Sequence, residues 1–151
     1  MSTFTDKSMW IRVPSVPAYL PVIRAATEKI CGLLGFDERA AGAIVLSVDE
    51  ALTNIIRHAY HGACDKLIEL EFTPVGEEGK TSLQIRIRDY GEALDPAQLK
   101  PRDLADLKPG GLGLHIIAEC MDRLEYSPAE GGGTLLTMIK DLPTNDEAKT
   151  K

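Results

Sequence analysis

Asp49-Glu50-Ala51-Leu52-Thr53-Asn54-Ile55-Ile56-Arg57-His58-Ala59-Tyr60 is the stretch on which the fold turns. At helical pitch, Ile44, Val48, Ala51, Leu52, Ile55, Ile56 and Ala59 form one apolar face. Glu50, Asn54, Arg57, His58 and His61 fall at i, i+4, i+7, i+8 and i+11 and form a polar stripe. A helix that is apolar on one side needs another layer to bury that side. The polar stripe is either a solvated surface or the wall of a site. Its residue types suit a hydrated metal–phosphate. An Asn amide oxygen is a neutral, hard ligand for Mg²⁺. Arg and His neutralise phosphate oxygens. A Glu one turn away can hold or deprotonate a hydroxyl.

Upstream, Trp10 to Val13 reads as a strand stopped by Pro14, with Ser15 as the N-cap of the first helix. Val22, Ile23, Ala26, Ile30 and Leu33 recur at helical spacing, and Gly35 ends that helix. Asp37 is the N-cap of the second helix, which runs to about Tyr60, with Gly62 as its stop. Downstream, Lys66 to Thr73 and Ser82 to Asp89 alternate apolar and polar residues. Pro74, Gly76 and Gly79 make the turn between them, giving an antiparallel hairpin. On its outer face Glu69 and Glu71 would pair with Arg86 and Arg88. Gly91 to Gly110 has weak periodicity and reads as a loop. Leu112 to Met121 reads as a helix opening on glycines, and Arg123 to Ser127 and Thr134 to Lys140 as two last strands. The order β-α-α-β-β-loop-α-β-β predicts a two-layer α/β sandwich, one mixed but mostly antiparallel sheet with helices on one face. One domain over residues 1–142 and a disordered tail over 143–151 are expected.

The 151 residues suit about one domain with a single core. Apolar residues are 44% and charged residues 26%, which excludes wholesale disorder. Seventeen Lys and Arg against 23 Asp and Glu give a net charge of −6. A broad basic surface is absent, so non-specific binding to nucleic acid or to an anionic membrane is not expected. No apolar run approaches the roughly 18 residues of a membrane-spanning helix. Cys31, Cys64 and Cys120 are widely separated and form no C-x-x-C pair. With no signal-peptide pattern at the N-terminus, a cytoplasmic location is expected.

Three further clusters carry chemistry. Asp89 is in phase with Leu83, Ile85 and Ile87, so its carboxylate should point to the core side at the strand's end. There it needs a donor, which a ligand amino group would supply, or it caps a turn. Gly91 after it permits close approach to the backbone. Gly110-Gly111-Leu112-Gly113-Leu114 leads into a helix and would offer free N–H groups to an anion. Gly131-Gly132-Gly133-Thr134 enters the last strand and reads by itself as a hairpin turn. A competing reading takes His58, His61 and Cys64, spaced three apart, as zinc ligands.

In order and spacing, these four clusters resemble the N, G1, G2 and terminal Gly-Thr boxes of the GHKL ATP-binding superfamily. The likeness is greatest to the bacterial anti-sigma-factor serine/threonine kinases. Asp49 to Tyr60 looks like the N box, Asp89 to Pro96 the G1 box and start of the lid, and Gly111 to Leu114 with Met121-Asp122 the G2 region. The resemblance spans roughly Trp10 to Asp141. It implies the Bergerat ATP-binding fold. Ala93 stands where some relatives carry a second G1 glycine.

By that resemblance, Asn54 would coordinate Mg²⁺ on the ATP phosphates and Asp89 would accept from the adenine amino group. Gly91 would make room beside the base. Gly110, Gly111 and Gly113, with Leu112 among them, would hinge the lid and face the phosphates. Thr134 would support the adenine end, and Arg57 and His58 would contact phosphate. Glu50 would be the catalytic acid/base for an incoming Ser or Thr hydroxyl. Sensor histidine kinases commonly carry Asn at the Glu50 position and need an upstream phosphoacceptor hairpin, so the substrate here is expected to be another protein. The implied function is an anti-sigma-factor-type kinase switch that phosphorylates a STAS-domain antagonist and holds a sigma factor, with a homodimer among the expected states. Tyr19, Arg24 and Arg12 are candidate partner contacts. The alternative is a non-catalytic, ATP-dependent binding module that sequesters a sigma factor or another regulator.

Overall fold

Ile68, Leu70 and Phe72 alternate with Glu69, Glu71 and Thr73, and the pleat buries only the first set. That alternation recurs in Leu83, Ile85 and Ile87 and again in Thr134, Leu136 and Met138. The computed structural model describes residues 6–92 and 114–144. Its strands are β1 (Met9–Pro14), β2 (Leu67–Glu77), β3 (Lys80–Asp89), β4 (Arg123–Pro128) and β5 (Thr134–Asp141). Its helices are α1 (Leu20–Leu34), α2 (Glu38–Asn54) and α3 (Leu114–Cys120). The strands form one sheet in the order β1-β2-β3-β5-β4. Helix α2 packs between α1 and α3. Ile44, Val48 and Leu52 of α2 and Ile23 of α1 meet the inward side chains of the strands in a single core. This is the two-layer α/β sandwich expected. The sheet is not mixed, however: each described pairing is antiparallel.

Both helix ends between α1 and α2 obey their local signals. Gly35 adopts φ 93° and caps α1, and Asp37 accepts from the Ala40 N–H at 2.8 Å. The β2–β3 hairpin is longer than the alternation suggests. Pro74 and Gly76 lie inside β2, and the turn is the pair Glu78-Gly79, with φ 51° and 77°. Pro74 fits because the described pairing of β1 with β2 stops at Met9 opposite Phe72. Beyond that point the Asp6 N–H donates to Pro74 C=O at 2.7 Å, and the missing Pro74 N–H costs no β1–β2 ladder bond.

Two expected contacts are replaced. Ser15 caps no helix; it is buried and bridges two loop groups. Its hydroxyl donates to Ala63 C=O at 2.6 Å and accepts from Lys66 N–H at 3.1 Å, while its own N–H donates to Lys66 C=O at 2.7 Å. On the outer sheet face only Glu71 with Arg86 forms the anticipated pair, at 3.6 Å. Glu69 instead meets Arg12 of β1 at 3.3 Å. Arg88 turns to the Gly131–Gly133 turn, donating to Glu130 C=O and, at 3.3 Å, to Gly132 C=O. No described helix is long and apolar enough to cross a membrane.

The Ser15 hydroxyl ties the end of β1 to the chain entering β2. Ser15→Ala strands a donor and an acceptor, so it should lower unfolding free energy by about 1–3 kcal/mol. Urea unfolding measures this; an unchanged midpoint would contradict the bridging role.

Candidate nucleotide-binding site

The sequence favours helix through Tyr60, but the α-helix stops at Asn54. Ile55–Ala59 winds as a π turn, closed by Tyr60 N–H on Ile55 C=O at 2.9 Å. Single π turns inside helices recur at functional sites. Glu50 and Asn54 lie before the wide turn, keep their i, i+4 relation and are both half-buried. The residues after it lag the straight-helix stripe. Arg57 is exposed while His58 is half-buried. His61 leaves the stripe altogether: its φ is 50°, and its Nε2 lies 3.3 Å from Glu92 Oε2 on the surface.

Asp89 ends β3 with its side chain on the core face and only 3% exposed. Its carboxylate accepts from Gly91 N–H at 3.0 Å and from the Thr134 backbone amide. It is therefore buried, as its phase along β3 predicts, and it caps the turn that follows. Desolvation pushes its pKa up from the ordinary value, and the two amides and the Arg88 charge pull it back only in part. Thr134 opens β5, is 5% exposed, and lies beside Asp89 through that amide.

Gly91 lies against the backbone of the π turn. A Cβ there would meet Ala59 of the π turn, lying 2.8 Å from its carbonyl carbon. The glycine is needed because two stretches of backbone touch. Through this contact the end of α2 and the end of β3 converge. Gly110, Gly111, Leu112 and Gly113 lie outside the described residues.

Two residues of the site lie in quoted motifs but have roles that the sequence does not disclose. Gly133, at φ 82°, lies against Asp89; a Cβ would come 2.7 Å from the Asp89 carbonyl carbon. Its signal is the run of three glycines, which reads equally well as a plain turn. Tyr60 is 6% exposed, donates its hydroxyl proton to Leu67 C=O and accepts from Tyr90 N–H at 2.7 Å. Its signal is a tyrosine closing an apolar helical face, where a phenol needs a buried partner. Burial pushes its pKa up, so the hydroxyl stays protonated as a donor. Of the suggested partner contacts, Tyr19 is exposed. Arg12 and Arg24 are engaged with Glu69 and, at 3.1 Å, with Asp49. Among the described residues no group of three His, Cys, Asp or Glu side chains is placed to hold a metal, which removes the zinc reading of His58, His61 and Cys64.

The profile of the histidine kinase-like ATPase domain matches residues 13–140. The chain belongs to that family. The match takes in α2, its π turn, Asp89 and Thr134. The serine-protein kinase RsbW of Listeria monocytogenes is 28% identical over 159 aligned residues, covering 99% of this chain and 98% of the relative. The serine-protein kinase RsbW of Halalkalibacterium halodurans is 27% identical over 154, covering 97% and 90%. Two solved structures share the fold. The RsbU and RsbW domains of a Mycobacterium tuberculosis protein align with TM-score 0.63 and 18% identity, over 91% of this chain and 33% of that one. The SiaB–SiaC complex of Pseudomonas aeruginosa aligns with TM-score 0.55 and 16% identity, over 89% of each chain.

The raised pKa of Asp89 has a signed consequence. Between the ordinary carboxylate value of 3.8 and the raised one, the folded protein binds more protons than the unfolded chain. The stability Asp89 contributes is complete below the ordinary value and is lost as pH rises through the raised one. Asp89→Asn removes that loss. The melting temperature of the variant should gain on that of the parent as pH rises above the ordinary carboxylate value of 3.8. A difference that does not change with pH would contradict the burial cost.

Proposed function

We propose that the protein is an ATP-dependent serine/threonine kinase of the anti-sigma-factor type, phosphorylating a STAS-domain antagonist. The observation that carries this is Glu50, one helical turn before Asn54, in a chain aligned almost end to end with serine-protein kinases. That match supports an enzyme that carries its own acid/base residue.

The residues present fit ATP and Mg²⁺. A carboxylate has about four lone-pair sites, and two amides occupy only part of Asp89's capacity. The remainder suits an amino group such as that of adenine. Thr134 steadies that carboxylate through its amide. Asn54 offers a neutral oxygen to Mg²⁺. Arg57 and His58 are the basic groups for phosphate, and by the family resemblance Gly110, Gly111, Leu112 and Gly113 would add backbone N–H groups. When bound, Mg²⁺·ATP supplies the phosphoryl group and part of the charge neutralisation. Glu50 accepts the proton of the incoming hydroxyl, and the rest of the protein's work is positioning. A sigma factor held in exchange with the antagonist, and a homodimer, complete the proposed switch.

Radiolabelled ATP with a STAS-domain antagonist tests this. Label is expected on a Ser or Thr of the antagonist. Glu50→Gln should lower transfer by about 10²–10⁴-fold while ATP affinity is retained. Full transfer by that variant would overturn the role of Glu50. No transfer by the parent, with ATP bound, would favour the non-catalytic binding module.

A further inference from the structure

The peptide between Asp89 and Tyr90 is gripped from several sides. Its N–H donates to the Tyr60 hydroxyl at 2.7 Å. Its carbonyl carbon is covered by Gly133, with no room for a side chain. One residue on, Gly91 rests on Ala59, the residue before Tyr60. The Tyr60 hydroxyl is itself fixed, because it donates to Leu67 C=O at the start of β2. β2 pairs with β3 there, Ile68 lying opposite Asp89. A single phenol thus connects the end of the π turn, the entry of β2 and the exit of β3.

We infer that Tyr60 is a positioning residue that sets the direction of the Asp89 carboxylate and so the selectivity of the site for a purine bearing a 6-amino group. The inference rests on reading Asp89 as the acceptor of that amino group. Tyr60 touches no ligand in this scheme. It acts through the 89–90 peptide, which sets the course of the chain into Gly91 and so the aim of the Gly91 N–H that the Asp89 carboxylate accepts. The other restraints do not replace the phenol. Gly133 and Gly91 limit the peptide sterically, whereas Tyr60 alone among the described residues offers its N–H an acceptor. A strict hydrogen-bonding site discriminates because its own polar groups are left unpaired by the wrong base. That discrimination depends on the carboxylate being held still.

The test compares affinities of the intact protein for ATP and for purine riboside triphosphate, which lacks the 6-amino group. The parent should prefer ATP by about tenfold or more. In Tyr60→Phe, which keeps the ring, that preference should fall at least about threefold, with affinity for the analogue nearly unchanged. A merely structural tyrosine would lower both affinities together, or lower only the melting temperature. A preserved ratio therefore overturns the inference. In an Asp89→Asn background, Tyr60→Phe should change the ratio no further; an additional change would also overturn it. No preference in the parent would instead overturn the reading of Asp89 itself, before any substitution at Tyr60. Amide exchange in the unaltered protein needs no variant. The Tyr90 N–H should be protected, and ATP should slow it more than the analogue does. Exchange at the open-chain rate would overturn the inference even if Tyr60→Phe failed to fold.

Discussion

A carboxylate buried at the exit of a central strand is expensive, and the structure around Asp89 is arranged to keep it there. Desolvation disfavours its charged form, and neighbouring amides offset only part of that cost. The remaining restraint is geometric. Gly91 and Gly133 bring backbone against backbone, and Tyr60 holds the adjoining N–H. Such a site trades stability for a fixed acceptor, a pattern common where a protein must recognise something. The sandwich supplies the frame: β3 lies between β2 and β5, and the π turn closes over its end.

Much of this frame is legible in the sequence. Period-two alternation sets the inward faces of β2, β3 and β5, and therefore puts Asp89 on the core side. Asp37 and Gly35 mark helix ends because their chemistry is local. The π turn is not legible. Its wider winding leaves the hydrophobic pattern of Ile55, Ile56 and Ala59 intact, yet the chain leaves it with His61 at φ 50°, off the polar stripe. Ser15 misleads for a similar reason. A serine before a helix signals a cap locally, but its actual partners, Ala63 and Lys66, are remote in sequence. Glu69 and Arg88 match across the hairpin on alternation alone, whereas Arg12 from β1 and the glycine turn before β5 compete for them.

Gly91 has a structural duty that its motif does not disclose. Its small size admits Ala59, a protein neighbour. The consequence is functional all the same, because that contact joins the helix bearing Glu50 and Asn54 to the strand bearing Asp89. Net charge also needs a narrower interpretation. A value of −6 argues against a broad polyanion-binding surface but not against one polyanion held by Mg²⁺, a few side chains and backbone amides.

The most direct measurement is a crystal structure with Mg²⁺ and a non-hydrolysable ATP analogue. The adenine amino nitrogen should lie about 3 Å from an Asp89 carboxylate oxygen, with the Asn54 amide oxygen on the metal. A nucleotide seated away from the end of β3, or a base whose amino group faces solvent, would contradict the assignment of this site.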